Sequence, residues 1–211
     1  MSAIRLVMAY DQNVPFGSHT EAHNRAYAQA LGYDFHAYRY LPDRNLDPYW
    51  NRIRVFQQEL SSCEVLWWID ADAIFLRRDE LPSFSTDLAM SRDWNGICCG
   101  VMGLRNTAWN ARLLDAWLLL GNVENEKIAG FDNGPFREQT TLKALCYFWP
   151  SIRGHVSAIS EEVIQGFTST YHPKALVLHM WASALGPERV LATLQKFLAD
   201  GYQPDTLQRP P

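Results

Sequence analysis

Asp70 and Asp72 flank Ala71 directly after the unbroken apolar run Val65 to Ile69, VLWWI. Such a run reads as a buried strand, and strand alternation sends residues two apart to the same side. Both carboxylates are therefore expected at the carboxyl end of a strand, where open α/β sheets bind ligands. Two desolvated carboxylates side by side repel, so the pair calls for a cation or a shared proton. The triplet alone is a weak motif; its place after the strand is what favours a metal site over a solvated turn. His19 and His23 stand four apart, but HTEAH lacks the glutamate position of a zinc protease, and both are expected on a helix surface.

The elements that must position these groups follow from periodicity. Ile4 to Tyr10 reads as a buried strand ending at Asp11-Gln12-Asn13. Ser18 or Thr20 can cap a helix on which Ala22, Ala26 and Ala30 recur, with Gly32 as its left-handed stop. A strand over Asp34 to Tyr40 comes next. Asp47-Pro48 then supplies a cap and an N1 proline for a helix through Trp50, Ile53, Phe56 and Leu60. Further strands are expected at Leu88 to Ser91, Cys99 to Leu104, Val156 to Ile159 and Ala175 to His179. Helices are expected after Asn106 or Thr107, with Trp109, Leu113, Trp117 and Leu120 on one face, over Glu138 to Phe148, and over Pro187 to Asp200. Asn122 to Pro135 is polar and reads as a loop. Strand alternating with helix predicts an α/β fold with a parallel sheet flanked by helices.

The chain has 211 residues, 47% of them hydrophobic and 20% charged, a globular composition. One domain over 1–202 with a linker-like tail at 203–211 is the expectation, the tail leaving room for a longer multidomain chain. A net charge of −4 without a basic run gives no support to nucleic-acid binding. No stretch approaches a membrane span, and the N-terminus runs straight into a strand, so a cytoplasmic protein is expected. The four cysteines lack metal or disulfide spacing and are expected as reduced thiols.

The ordered segments YWNRIRVFQQEL, VLWWIDADAIF, CGVMGLRNTAWNARLLDAW, EQTTL and LVLHMWAS resemble the GT-A glycosyltransferases, most closely glycosyltransferase family 34, across roughly Asn24 to Ser183. The resemblance implies a Rossmann-like, mixed but mostly parallel central sheet, and transfer of a sugar from a UDP-sugar to a glycan or glycoprotein acceptor, with retention of configuration. It implies Mn²⁺ held by Asp70, Asp72 and His179, and one imidazole among oxygen ligands suits Mn²⁺ (or Mg²⁺ as a substitute) better than Ca²⁺. It also places Ala9, Tyr10 and Asp11 at the uracil and ribose, with Tyr10 stacking on the base and Asp11 taking a ribose hydroxyl. Asn24 belongs to the matching Asn-x-x-Tyr-Ala segment. Arg52 stands where relatives carry a lysine that holds the diphosphate, Asp70-Ala71-Asp72 lines the donor, and Glu138 and Gln139 lie beside the reactive face of the sugar. Asp132 and Asn133 are placed to help position the acceptor.

One departure stands out: relatives carry Asn-x-Gly where this chain has Cys98-Cys99-Gly100. An asparagine on the sugar is thus missing, unless Asn95-Gly96 supplies it or the donor sugar differs. That departure keeps a non-catalytic nucleotide-sugar binding module as the alternative. A haloacid-dehalogenase-like phosphatase, whose paired aspartates follow a strand in a similar way, is the lesser rival, because its signature belongs after the first strand and not the third.

Overall fold

The computed structural model describes residues 2–40, 42–43, 48–93, 96–121, 127–128, 131–132, 137–164, 175–180 and 186–199. Its centre is a six-stranded sheet. Strand β1 (Ser2–Ala9) lies between β2 (Asp34–Tyr38) and β3 (Cys63–Ile69), parallel to both. Next to β3 comes β6 (Gly96–Arg105), antiparallel to it, followed by β5 (Leu88–Asp93) and, parallel to β5 at the far edge, β9 (Val156–Ser160). The sheet is thus mixed and mostly parallel as expected, with β6 reversed. The reversal follows from chain length: parallel neighbours need a crossover, whereas β5 and β6 are adjacent in sequence and their register runs from Leu88–Leu104 to Asp93–Gly96.

Helices cover both faces because the buried strands are apolar on both. In β3 the neighbours Trp67 and Trp68 point to opposite sides. Trp68 packs edge-on against Phe56 of α2 (Asn51–Glu59) in a core shared with Trp117 of α3 (Ala108–Gly121) and Leu142 of α4 (Arg137–Phe148). Trp67 packs against Phe84, in a second core with Tyr27 of α1 (Gly17–Leu31). Of the two candidate caps for α3, Thr107 is the one used, its hydroxyl accepting from the Asn110 N–H at 3.2 Å.

Helix α1 begins earlier than its capping residues suggest. It starts at Gly17 without a side-chain cap, and the Thr20 hydroxyl instead donates to the Gly17 carbonyl at 3.0 Å. The alanines at 22, 26 and 30 face solvent, while Glu21, Asn24, Tyr27 and Ala28 form the buried side. Gly32 ends the helix with φ 70°, as expected. The Asp47 cap and the 203–211 tail lie outside the described residues. Within the expected loop at 122–135, two short strands, β7 (Lys127–Ile128) and β8 (Phe131–Asp132), pair antiparallel. Short helices α5 (Pro150–Arg153) and α6 (Glu161–Ile164), absent from the periodicity reading, flank β9.

The strand most important for the site is one that the pattern hides. Three residues, β4 (Ala73–Phe75), follow the acidic pair and leave the main sheet to pair antiparallel with β10 (Val177–His179). Helix α7 (Pro187–Ala199) covers this ribbon with Val190 and Leu194 against Ile74, Leu76 and Leu178. No helix among the described residues is long and apolar enough to cross a membrane.

Candidate functional site

Asp70 and Asp72 converge through a turn rather than through strand alternation. The chain bends after β3, and the Ala73 N–H donates to the Asp70 carbonyl at 3.0 Å, closing a four-residue turn that carries both carboxylates. This corrects the expectation of a continuing strand; the sidestep into β4 is what makes room for the turn. The pair is also less exposed than a sheet edge suggests, at 21% and 13% of the side-chain surface.

Strand β10 returns His179 to this turn. The register sets His179 opposite Ala73, and the Met180 N–H donates to the Asp72 carbonyl at 2.9 Å. His179 Nε2 thereby lies 3.1 Å from Asp72 Oδ1 and 3.7 Å from Asp70 Oδ2. One ligand atom from each residue falls within 4.8 Å of the others, the only such His, Cys, Asp and Glu group among the described residues.

Asp70 presents one oxygen to this cluster because its other is held. Oδ1 accepts from Arg52 Nη2 and from Trp68 Nε1, both at 2.6 Å. Arg52 is 8% exposed, packs over the Trp68 ring, donates through Nη1 to the Cys99 carbonyl at 2.8 Å, and lies 3.2 Å from Glu138 Oε1. Expected on the diphosphate, Arg52 is placed as a tie between Asp70 and Glu138. Glu138, 3% exposed, opens α4 with Gln139, whose Oε1 accepts from the Cys99 N–H at 2.9 Å. Glu138 Oε2 is buried without a hydrogen-bond partner. A buried polar atom so placed is costly unless a ligand completes it.

The electrostatics follow from crowding. Burial raises the Asp70 carboxyl, with Arg52 opposing and Asp72 adding to the rise. Burial likewise pushes Glu138 up to about 7, against the pull of Arg52. His179 is raised well above its ordinary range: burial works against the charged ring, but Asp72 beside it prevails. Three carboxylates facing one guanidinium and one imidazole leave a site short of positive charge. A divalent ion fits that deficit at a donor set of two carboxylates and one imidazole.

The first parallel strands supply the neighbouring wall. Pairing of Val7 with Trp68 brings the end of β1 level with Asp70, so Ala9, the last residue of β1, and Tyr10 and Asp11 after it lie beside the acidic turn. Tyr10 is partly exposed, and the Asp11 carboxylate accepts from the Asn13 N–H at 2.9 Å. Asn24 is placed otherwise than at a ligand. It is fully buried, and its amide donates to the Ala73 carbonyl at 2.9 Å and accepts from the Phe75 N–H at 3.2 Å. His23, expected on the helix surface, is half-buried beside it with Nε2 2.7 Å from the Phe75 carbonyl, whereas His19 is exposed. These side chains stand in for a neighbouring strand along the free edge of β4. Cys98 and Cys99 are buried with the other two cysteines, and none of the four is in a disulfide. Asn95 and Asn133 lie outside the described residues, as does the side chain of Asp132.

Sequence reasoning missed Trp68 as a donor to Asp70, although alternation along VLWWI puts Trp68 on the same side as Asp70. It also missed the bracing role of Asn24, for which no local signal exists.

A mixed sheet with one reversed strand, bearing an acidic turn and a returning histidine at its carboxyl edge, is the GT-A glycosyltransferase fold. Solved structures agree. A glycosyltransferase involved in the glycosylation of the major capsid of PBCV-1 superposes with a TM-score of 0.74 at 18% identity, over 92% of this chain and 99% of that one. The galactosyltransferase LgtC in complex with donor and acceptor sugar analogs gives 0.55 at 12% identity, over 91% and 95%. A model of the galactosyl transferase GMA12/MNN10 family matches residues 81–184. Probable glycosyltransferase 4 of Oryza sativa subsp. indica is 27% identical over 111 residues, 45% of this chain and 23% of that protein. Putative glycosyltransferase 7 of Arabidopsis thaliana is 25% identical over 116 residues, 47% of this chain and 26% of that protein. The chain spans about a quarter of the length of these curated relatives. Together these comparisons show the GT-A fold and a similarity to the glycosyltransferases of family 34.

Proposed function

We propose that the chain transfers a sugar from a UDP-sugar to a hydroxyl of a glycan or glycoprotein, retaining configuration, with Mn²⁺ or in its place Mg²⁺ at Asp70, Asp72 and His179. The observation that carries this reading is the convergence of those three side chains, within 4.8 Å, at the carboxyl edge of the sheet. When bound, the ion would offset the negative charge that builds on the leaving diphosphate. The protein's own groups do the rest. Asp70, fixed through Oδ1 by Arg52 and Trp68, offers Oδ2 in a single direction, and Arg52 serves the diphosphate through Asp70. Tyr10 stacks on the base, Asp11 takes a ribose hydroxyl, and Ala9 and Ala71 leave room for the nucleotide.

The bond from the anomeric carbon to the diphosphate breaks with both electrons going to the diphosphate. The acceptor oxygen forms the new bond to the anomeric carbon, and its proton passes to the diphosphate oxygen that has taken the electrons of the broken bond. Glu138 and Gln139 lie at the same edge, tied to Asp70 through Arg52 and Cys99, where a carboxylate and an amide can face the positive charge that develops on the sugar. The single GT-A domain over 1–202 and a cytoplasmic setting belong to the same reading, and four buried cysteines outside any disulfide suit a reducing compartment.

Hydrolysis of a panel of nucleotide sugars, with and without Mn²⁺, tests the proposal. Metal-dependent release of UDP from at least one donor is expected, and it should disappear in Asp72→Ala. UDP binding without turnover of any donor, with or without a glycan acceptor, would establish the non-catalytic binding module instead.

A further inference from the structure

A second charged cluster lies beside the end of β1, and the acidic turn does not use it. Glu21, on the buried side of α1 and 3% exposed, accepts four hydrogen bonds. Its Oε2 takes the Tyr10 hydroxyl at 2.7 Å and Arg39 Nε at 2.8 Å, while Oε1 takes Arg39 Nη2 at 2.8 Å and Arg25 Nη2 at 2.7 Å. The Arg39 contact is the two-pronged pairing that a guanidinium and a carboxylate form best.

The opposite side of the Tyr10 ring is fixed by shape. A Cβ on Gly17 would stand 2.3 Å from Tyr10 Cδ2, so the ring lies directly on the helix backbone where only glycine fits. The Tyr10 N–H also continues the sheet, donating to the Tyr38 carbonyl at 2.8 Å. The ring is therefore held at its backbone, at one flank and at its hydroxyl, although it remains partly exposed. An aromatic held so firmly at the carboxyl end of a parallel strand has lost its rotamer freedom before any ligand arrives. Pre-paid ordering of this kind strengthens binding of a flat partner.

We infer that Glu21 is a positioning residue for a planar base: through the Tyr10 hydroxyl, and itself clamped by Arg39 and Arg25, it holds the Tyr10 ring as a preformed stacking wall of the nucleotide site. The inference rests on the proposed function and adds to it a group that touches no ligand. It predicts a division of labour, in which the acidic turn governs the diphosphate and the Glu21 clamp governs the base.

Calorimetry with two probes, UDP and inorganic pyrophosphate, each with Mn²⁺, tests this division. In Glu21→Ala, UDP should bind roughly tenfold more weakly, within the usual worth of a base stacked on an aromatic ring, while pyrophosphate affinity stays at the parent value. Tyr10→Phe keeps the ring and removes only the hydroxyl that Glu21 holds, so it should show the same split in smaller measure even if Glu21→Ala folds poorly. Equal weakening toward both probes, or undiminished UDP affinity in both variants, overturns the inference. A parent protein that binds pyrophosphate but gains nothing from the uridine overturns it too, leaving the metal reading intact. A parent that binds neither probe overturns the proposed function on which it stands.

Discussion

Replacing Asn24 by Ala separates a brace from a ligand contact. Asn24 lies on α1, fully buried, and satisfies the Ala73 carbonyl and the Phe75 N–H along the edge of β4 that β10 does not cover. Truncation strands one backbone acceptor and one backbone donor, each costing about 1–3 kcal/mol when buried without a partner. A loss of roughly 2–6 kcal/mol follows, and for a chain of this size about 2–4 °C of melting temperature per kcal/mol gives a fall of about 4–24 °C. Because β4 leads out of the acidic turn and pairs with the strand bearing His179, Mn²⁺-dependent UDP affinity should weaken as well, although Asn24 touches neither ligand. Urea unfolding followed by tryptophan fluorescence measures the first effect, and calorimetry measures the second. Asn24→Asp should destabilise at least as much, since a carboxylate would then face the Ala73 carbonyl. An unchanged unfolding midpoint with weakened UDP binding would refute the brace and restore Asn24 to the donor site.

Arg52→Met leaves the Asp70 and Glu138 carboxylates without their shared partner; removal of one member of a buried ion pair typically costs about 3–5 kcal/mol, to be read from the same urea curves, and a smaller loss than about 1 kcal/mol would argue against the tie. Glu138→Gln keeps the volume, so UDP affinity should hold while donor turnover falls by about 10²; equal turnover in the variant and the parent would remove Glu138 from the sugar face. Glu21, held down to about 2 chiefly by Arg39, is charged when folded well below its ordinary value of 4.5. Its contribution is therefore complete above about pH 4.5 and is lost as pH falls toward 2. The full shift corresponds to about 3 kcal/mol, reduced to roughly 1–2 because Arg39 is solvated. Stability curves for Glu21→Gln and the parent should accordingly converge as pH drops through that window, and parallel curves would contradict the clamp.

The sequence by itself determined the layered α/β architecture, because the strand runs are apolar throughout and the helices carry one apolar face each. It also located Asp70, Asp72, Glu138 and Gln139 at element ends, the edge at which open α/β sheets bind ligands. What it left open is the arrangement that depends on contacts between distant segments. The sidestep of β4 occupies three residues, too few for any period to show, and exists only because β10 pairs with it more than a hundred residues later. Arg52 and Asn24 look alike in sequence, as polar residues on amphipathic helices. Tertiary packing alone aims one at a carboxylate pair and the other at a strand edge. Cys98 and Cys99, which break the resemblance, are buried in β6, where the Cys99 backbone joins Arg52 to Gln139. Backbone atoms carry that link, and every residue type supplies the same backbone atoms, so side-chain identity at position 99 gave no sign of it.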